Sequence, residues 1–414
     1  MTAVAPPVEH VAPKLVTRVH EGALAGPARL LLAGGAVLVV ASAAIGYFTD
    51  WTRFLHGYLV AYMWGLGIVL GGLIFVLLQH LARAGWSVVV RRIAEHVATV
   101  VPLMALLFVP IALGLHQLYH HWVDMDAHPE DLVLQGKKAY LNQGFWYLRA
   151  GIYFVIWIGV AAYFKRASLA QDQSGDPRIT LRLARIAAPA TLLFALSITF
   201  AAFDWIMSLD PHWFSTIFGV CYFAGGFMAF MATLALLCMY LGRQGYLKEA
   251  VTTEHYHDMG KLLFAFMVFW TYVNFSQYML IWYANLPEET AFYAHRKEGN
   301  WQWVGAALVF GHFLAPFAFL MSRHIKRNRL TLAVAAVFML VMHWVDMAFL
   351  ILPNWHPTGE GHHEPGLHLH VLDVTSVLGV AAVILGATLV GLRKTPLVPE
   401  RDPRLAESLH FNNI

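Results

Sequence analysis

Two carboxylates and two imidazoles stand where an apolar sequence should carry neither. Asp204 lies in the apolar run 185–208, and His312 lies near the middle of the run 301–323. His343 and Asp346 stand at i and i+3 in the run 328–352, so a helix there presents both on one face. Ionisable side chains inside a membrane are costly and by default mark function. Desolvated carboxyls can exchange protons near neutral pH, and imidazole can pass a proton between its two nitrogens. The chemistry these residues suggest is therefore proton transfer. A further group begins at His255, His257, Asp258 and Lys261 and continues through Thr271, Asn274, Gln277 and Tyr278. Ordered by depth, the residues trace a route. Asp258 and Lys261 mark one surface, Thr271, Asn274, Gln277 and His312 the middle, and His343, Asp346 and Asp204 the opposite half.

Each residue also has a plainer reading. Asp258 and Lys261 can be a solvated or snorkelling pair. Asn274 and Gln277 can be ordinary interhelical hydrogen bonds. Glu95 and His96 suit an interface, and His116 an outer boundary. Asp204, His343 and Asp346 resist such readings best, with a buried structural ion pair as the competing role.

Other chemistries find less support. Cys221 and Cys238 lie seventeen positions apart in one apolar run, about 25 Å along a helix, too far for a disulfide within the chain. There is no CxxC or CxxCH, which speaks against covalent haem c and cysteine-ligated iron–sulfur clusters here. No span carries two buried histidines about a dozen residues apart, so haem b is not expected either. The loop Trp355–His370 carries His356, Glu360, His362, His363, Glu364, His368 and His370. Its irregular spacing argues for contact with a partner rather than a metal site. The acidic, histidine-rich stretch with His120, His121, Asp124, Asp126, His128, Glu130 and Asp131 suits electrostatic docking of an electron-transfer subunit. No catalytic residue and no metal ligand set is assigned.

The elements that must position these groups follow from composition. The chain has 414 residues, 58% hydrophobic and only 13% charged, against about 25% charged in a soluble domain. A net charge of +3 is too small to imply nucleic-acid binding. The expected fold class is an all-α integral membrane protein. A span needs about 20 apolar residues, and ten candidates stand out, near 29–48, 55–79, 96–117, 144–164, 185–208, 213–241, 260–285, 301–323, 328–352 and 371–392. Asp210 and Pro211 read as N-cap and first residue of the sixth. Residues 1–28 form a polar tail, 29–393 the ten-helix domain and 394–414 a second tail. The N-terminal stretch faintly resembles a signal peptide, but its leader is too long for a usual n-region. Of 28 basic residues, 22 fall on the side of the termini and six on the other: Arg53, Lys137, Lys138, Arg149, Arg296 and Lys297. The positive-inside rule then puts both termini in the cytoplasm. Trp51, Tyr119, Trp122, Trp146, Trp213, Trp282, Tyr283, Trp301, Trp303 and Trp355 near the span ends suggest an interfacial belt.

The chain also echoes itself. HWVDM occurs at His121–Met125 and at His343–Met347. Asp204, Pro211 and Trp213 have the same spacing as Asp346, Pro353 and Trp355. A parallel repeat of four helices, spans 2–5 and 6–9, accounts for the second echo.

The stretch Thr199–Gly219, TFAAFDWIMSLDPHWFSTIFG, resembles the signature of the F-subunit family of bacterial alternative complex III, a quinol:cytochrome c oxidoreductase. Chain length and the ten-span plan fit as well. That family falls in the polysulfide-reductase membrane-subunit (NrfD-like) superfamily. The resemblance implies two four-helix bundles, helices 2–5 and 6–9, plus two peripheral helices, in a bacterial inner membrane. It implies a paralogous C subunit, an iron–sulfur B subunit and haem c subunits as partners, alongside membrane lipids. The redox centres would then lie on those partners and none on this chain. A role in proton conduction or coupling is implied, with a quinone contact or a bound lipid left open. The quinol site beside the iron–sulfur cluster would belong to the C subunit. A secondary transporter with parallel repeats and a purely structural anchor are the alternatives.

Overall fold

A computed structural model describes residues 16–20, 22–355 and 366–413, and among them every regular element is helical. His356, Glu360, His362, His363 and Glu364 of the histidine-rich loop, and most of the N-terminal tail, lie outside the described residues. Nine described helices are long and apolar enough to cross a membrane. They are α1 (Ala25–Phe48), α2 (Trp51–Leu81), α3 (Val88–Leu113), α4 (Gln143–Ser174), α5 (Pro177–Trp205), α6 (Phe218–Arg243), α8 (Trp301–Met321), α9 (Arg329–Ile351) and α10 (Val371–Leu392). The remaining expected span forms α7 (Thr253–Ala284), a 32-residue helix. It is long enough, but Thr271, Asn274, Ser276, Gln277 and several tyrosines make it less apolar than the nine.

Helix ends depart from the hydropathy reading wherever charges find partners. α3 begins at Val88, not near residue 96, because Arg91, Arg92 and Glu95 are buried together. Arg92 Nε lies 2.9 Å from Glu95 Oε2, Arg92 also reaches Asp172 at 2.8 Å, and Arg91 pairs with Asp402 of the C-terminal segment. Further along, α3 is interrupted around Pro102 and Pro110, which supply no N–H to the helical ladder. α4 and α5 run on until only Gly175 and Asp176 separate them. Gly175 closes α4 in the left-handed region, and Asp176 caps α5 ahead of Pro177. The expected capping of the sixth helix by Asp210 and Pro211 does not occur, since α6 starts only at Phe218. The link is held open instead. Trp213 stacks on Phe292 at 3.9 Å, and the Ser215 hydroxyl donates to Gln277 Oε1 at 2.7 Å.

The centre is α2. Its apolar window is buried throughout, as a helix apolar on all sides should be. It packs against α1, α3, α5, α6, α9 and α10. α4 lies on α3 and α5, whereas α7, α8 and α9 pack on one another, with α7 and α9 also against α6. α1 and α10 form the most extensive helix pair and lean together on α2. α2 and α6 cross where Gly67 faces Gly226, and a Cβ on Gly226 would fall 2.9 Å from the Gly67 Cα and carbonyl oxygen. Such backbone approach is how helices gain contact in lipid. The interfacial belt is only partly present. Trp282, Tyr283 and Trp303 are exposed, but Tyr119, Trp122, Trp146, Trp213 and Trp301 are buried and serve the interior. Trp146 donates to the Asp204 carbonyl, for example, and Tyr119 to that of Trp205.

The crossing gives a direct test. Gly226→Ala is expected to lower thermal stability in detergent by about 1–3 kcal/mol, the usual cost of overpacking. Gly151→Ala, where an added methyl meets nothing within 4 Å, should be neutral or stabilising.

Candidate functional site

Three consecutive helices bring four side chains together. α9 presents His343 and Asp346 one turn apart, with the His343 Nδ1 3.9 Å from Asp346 Oδ2. α7 supplies Trp270, whose indole N–H donates to the same carboxylate oxygen at 3.0 Å. α8 supplies His312, whose ring stacks on Trp270 with centroids 3.7 Å apart and planes 25° apart. His312 and His343 are fully buried and Asp346 nearly so. All four imidazole nitrogens are buried without a hydrogen-bond partner among the described residues. Unpaired buried polar atoms are rare in folded proteins and call for an explanation.

Local sequence explains the placement. His312 sits in a wide turn, Leu308–Leu314, in which the Ala315 N–H returns five residues to Phe310. Pro316 follows and cannot donate to the carbonyl of residue 312, so the ladder must rearrange there. Such π-turns recur at functional positions. His343 lies across the α2–α6 crossing. A Cβ on Gly225 would approach its Nδ1 to 3.0 Å, and one on Gly67 its Nε2 to 3.3 Å. Only glycines leave room for the ring.

Asp204 occupies a contrasting site. Arg149 of α4 grips its carboxylate with both Nε and Nη2 at 2.8 Å, and the Tyr153 hydroxyl donates to it at 2.7 Å. The guanidinium lies over the rings of Tyr140 and Phe145, at 3.9 and 4.3 Å. Both carboxylate oxygens are thus engaged by guanidinium or hydroxyl donors, the strong charge-assisted kind of hydrogen bond. Asp346 has no arginine or lysine within salt-bridge distance among the described residues. Two acids at matching sequence positions thus have opposite environments.

The other expected residues stand apart from the four. Asp258 pairs with Lys261 on its own helix, and the half-exposed lysine also donates to Asn413 at 2.9 Å. Asn274 donates to the Trp270 carbonyl one turn back, so its bond is not interhelical. Gln277 bridges Ser215 and the Tyr293 hydroxyl at 2.7 and 2.9 Å. Glu95 and His96 are buried inside the chain, with His96 bonded to Thr395 and Lys165. His116 is exposed beside Asp124, as an outer boundary position should be.

Between the helix ends opposite the chain termini lies a cavity of about 740 Å³. Asp50, Arg53, Asp210, His212, His295 and His370 are among its lining residues. Nearby, the Leu134 N–H and the His212 ring hold the Asp131 carboxyl below the usual carboxylate range. No group of three or more His, Cys, Asp or Glu among the described residues has metal-site geometry.

Sequence reasoning missed Trp270, Arg149 and Tyr153. Arg149 was visible as the single basic residue within the fourth apolar run, although the charge count placed it with the outer loops. Trp270 gave no comparable signal, because tryptophan in an apolar helix is ordinary. Arg296, also counted with a loop, is buried and donates to the carbonyls of Phe292, Phe349 and Leu350, each at 2.9 Å. Comparison with protein-family models and with curated proteins finds no match.

The Asp204 site predicts a double-mutant pattern. Arg149→Met strands a buried carboxylate and should destabilise the purified protein by about 3–5 kcal/mol. Adding Asp204→Leu should recover most of that loss in thermal unfolding. Additive losses would argue against the pair.

Proposed function

We propose that this chain is the proton-conducting membrane subunit of a quinol:electron-acceptor oxidoreductase, with the redox centres on partner subunits. The observation that carries the reading is a buried carboxylate, Asp346, that among the described residues has no cationic partner and stands beside two buried histidines whose ring nitrogens have no hydrogen-bond partner. In a low-dielectric interior such a group has two accessible protonation states only if a base or water can exchange with it. His343 Nδ1 stands 3.9 Å from the carboxylate, close enough to exchange with it on a small side-chain motion, and His312 extends the relay across Trp270. We take His312, His343 and Asp346 as the exchanging centre. Asp204 is a fixed negative charge that fastens α4 to α5. Asp258, Lys261, Asn274 and Gln277 are approaches to the relay rather than members of it.

The architectural parts of the proposal are these. α7 is a tenth membrane helix, its polar residues tolerated because Gln277 and Asn274 are hydrogen-bonded within the protein. Helices α2–α5 and α6–α9 are two four-helix bundles, with α1 and α10 peripheral. The termini face the cytoplasm of a bacterial inner membrane. The signature at Thr199–Gly219 supports placing the chain with the F subunits of alternative complex III and, through them, beside a C subunit, an iron–sulfur subunit and haem c subunits. The clamped Asp204 lies inside that signature, so the signature's role here is architectural.

The test uses the intact complex in sealed vesicles. The preparation should contain c-type haem, and a haem-free chain that transports a solute would overturn the assignment. With added quinol, Asp346→Asn should retain electron transfer but lower the protons translocated per electron, and Asp346→Glu should restore part of the loss. An unchanged proton-to-electron ratio in Asp346→Asn would exclude the proton role while leaving a structural one.

A further inference from the structure

We propose that the groove between the α1–α10 pair and helices α2, α6 and α9 is a binding site for one acyl chain of an anionic phospholipid. The groove has a volume of about 340 Å³, within the range of ligand sites. Its wall is apolar along its length, from Pro27 and Tyr240 near the end that carries the chain termini to Trp64 and Leu340 at mid-helix. The few polar hydrogens at its deep end are engaged already. The Trp64 indole donates to the Leu340 carbonyl at 3.0 Å, and the Thr233 hydroxyl to the Ala229 carbonyl at 2.9 Å. A quinone ring seated there would find no donor for its carbonyl oxygens, whereas a hydrocarbon chain needs none.

The mouth supplies the charge. On α6 the lining residues Leu236 and Tyr240 stand at i and i+4, and Arg243 continues that stripe at i+7. On α10, Leu385 and Leu389 line the groove, and Arg393 follows four residues later at the helix C-cap. Neither guanidinium has a hydrogen-bond or ion-pair partner among the described residues. Two arginines, each one turn beyond a lining residue at the same end of an apolar slot, match a phosphate headgroup attached to an acyl chain. Basic pockets between membrane helices bind anionic lipids for this reason, and arginine suits phosphate by its forked geometry.

Native mass spectrometry of the intact assembly tests the site. After delipidation, the protein is offered equal phosphatidylglycerol and phosphatidylcholine in mixed micelles. Wild type should retain phosphatidylglycerol with roughly tenfold preference, as two near-surface arginines allow. The Arg243→Gln/Arg393→Gln pair should bring the preference close to one, each single substitution should give an intermediate value, and the Arg243→Lys/Arg393→Lys pair should preserve most of it. Ala381→Phe, which fills the slot, should remove tightly held lipid of both kinds. Preference unchanged in the glutamine variants, or displacement by Ala381→Phe of a prenylated quinone instead of a phospholipid, would overturn the proposal.

Discussion

An ionised side chain in an apolar helix must find a counter-charge within the protein or give up its charge, and the architecture of this chain is arranged around that constraint. Asp204 takes the first course. Its bidentate bond to Arg149 spans two helices, and the hydrogen bonds of Tyr153, Trp146 and Tyr119 close the same corner. The same solution recurs at the opposite end, where Glu95, Asp172 and Asp402 neutralise Arg91 and Arg92. It recurs again where Arg53 of α2 meets Asp373 of α10 at 2.5 Å. These pairs tie helices to one another and to the C-terminal segment. Breaking one is costly because the remaining partner cannot reach water.

Asp346 is the exception. It occupies the position in α9 that Asp204 occupies in α5, judged by the proline and tryptophan that follow each. Yet among the described residues it meets the Trp270 indole, the nearby His343 imidazole and the Cys221 thiol, and no arginine or lysine. The arginine on that side of the protein, Arg296, instead caps the carbonyls at the end of α9. A single sequence pattern thus yields one carboxylate clamped by an arginine and one without a cationic partner among the described residues, and the difference arises from what the neighbouring helices contribute. Close packing at Gly67, Gly225 and Gly226 then holds His343 beside that carboxyl, with no hydrogen-bond partner among the described residues.

Much of this was legible in the sequence. Apolar run length is local information, so every long helix appeared near its expected place. The i, i+3 spacing of His343 and Asp346 placed them on one face without reference to any other helix. Helix ends were less legible, because Arg91, Arg92 and Glu95 read as loop residues when their pairing is unknown. The same limit hid the role of Arg149. Its bond to Asp204 joins residues 55 positions apart, and nothing local distinguishes a buried arginine from one at a membrane surface. Trp270 was hidden for another reason, since its indole counts as apolar until an acceptor is known. The expected depth order of polar residues came from sequence position alone. It could not tell Gln277, which is satisfied by Ser215 and Tyr293, from His312, which is satisfied by nothing described.

The central claim is that Asp346 exchanges a proton and Asp204 does not. Infrared difference spectroscopy of the membrane-reconstituted protein, stepped in pH, addresses it directly. A protonated-carboxyl stretch that grows and fades with pH, shifts in deuterated water, and disappears in Asp346→Asn but persists in Asp204→Asn is the predicted result. A band that survives in Asp346→Asn and is lost in Asp204→Asn would contradict the account.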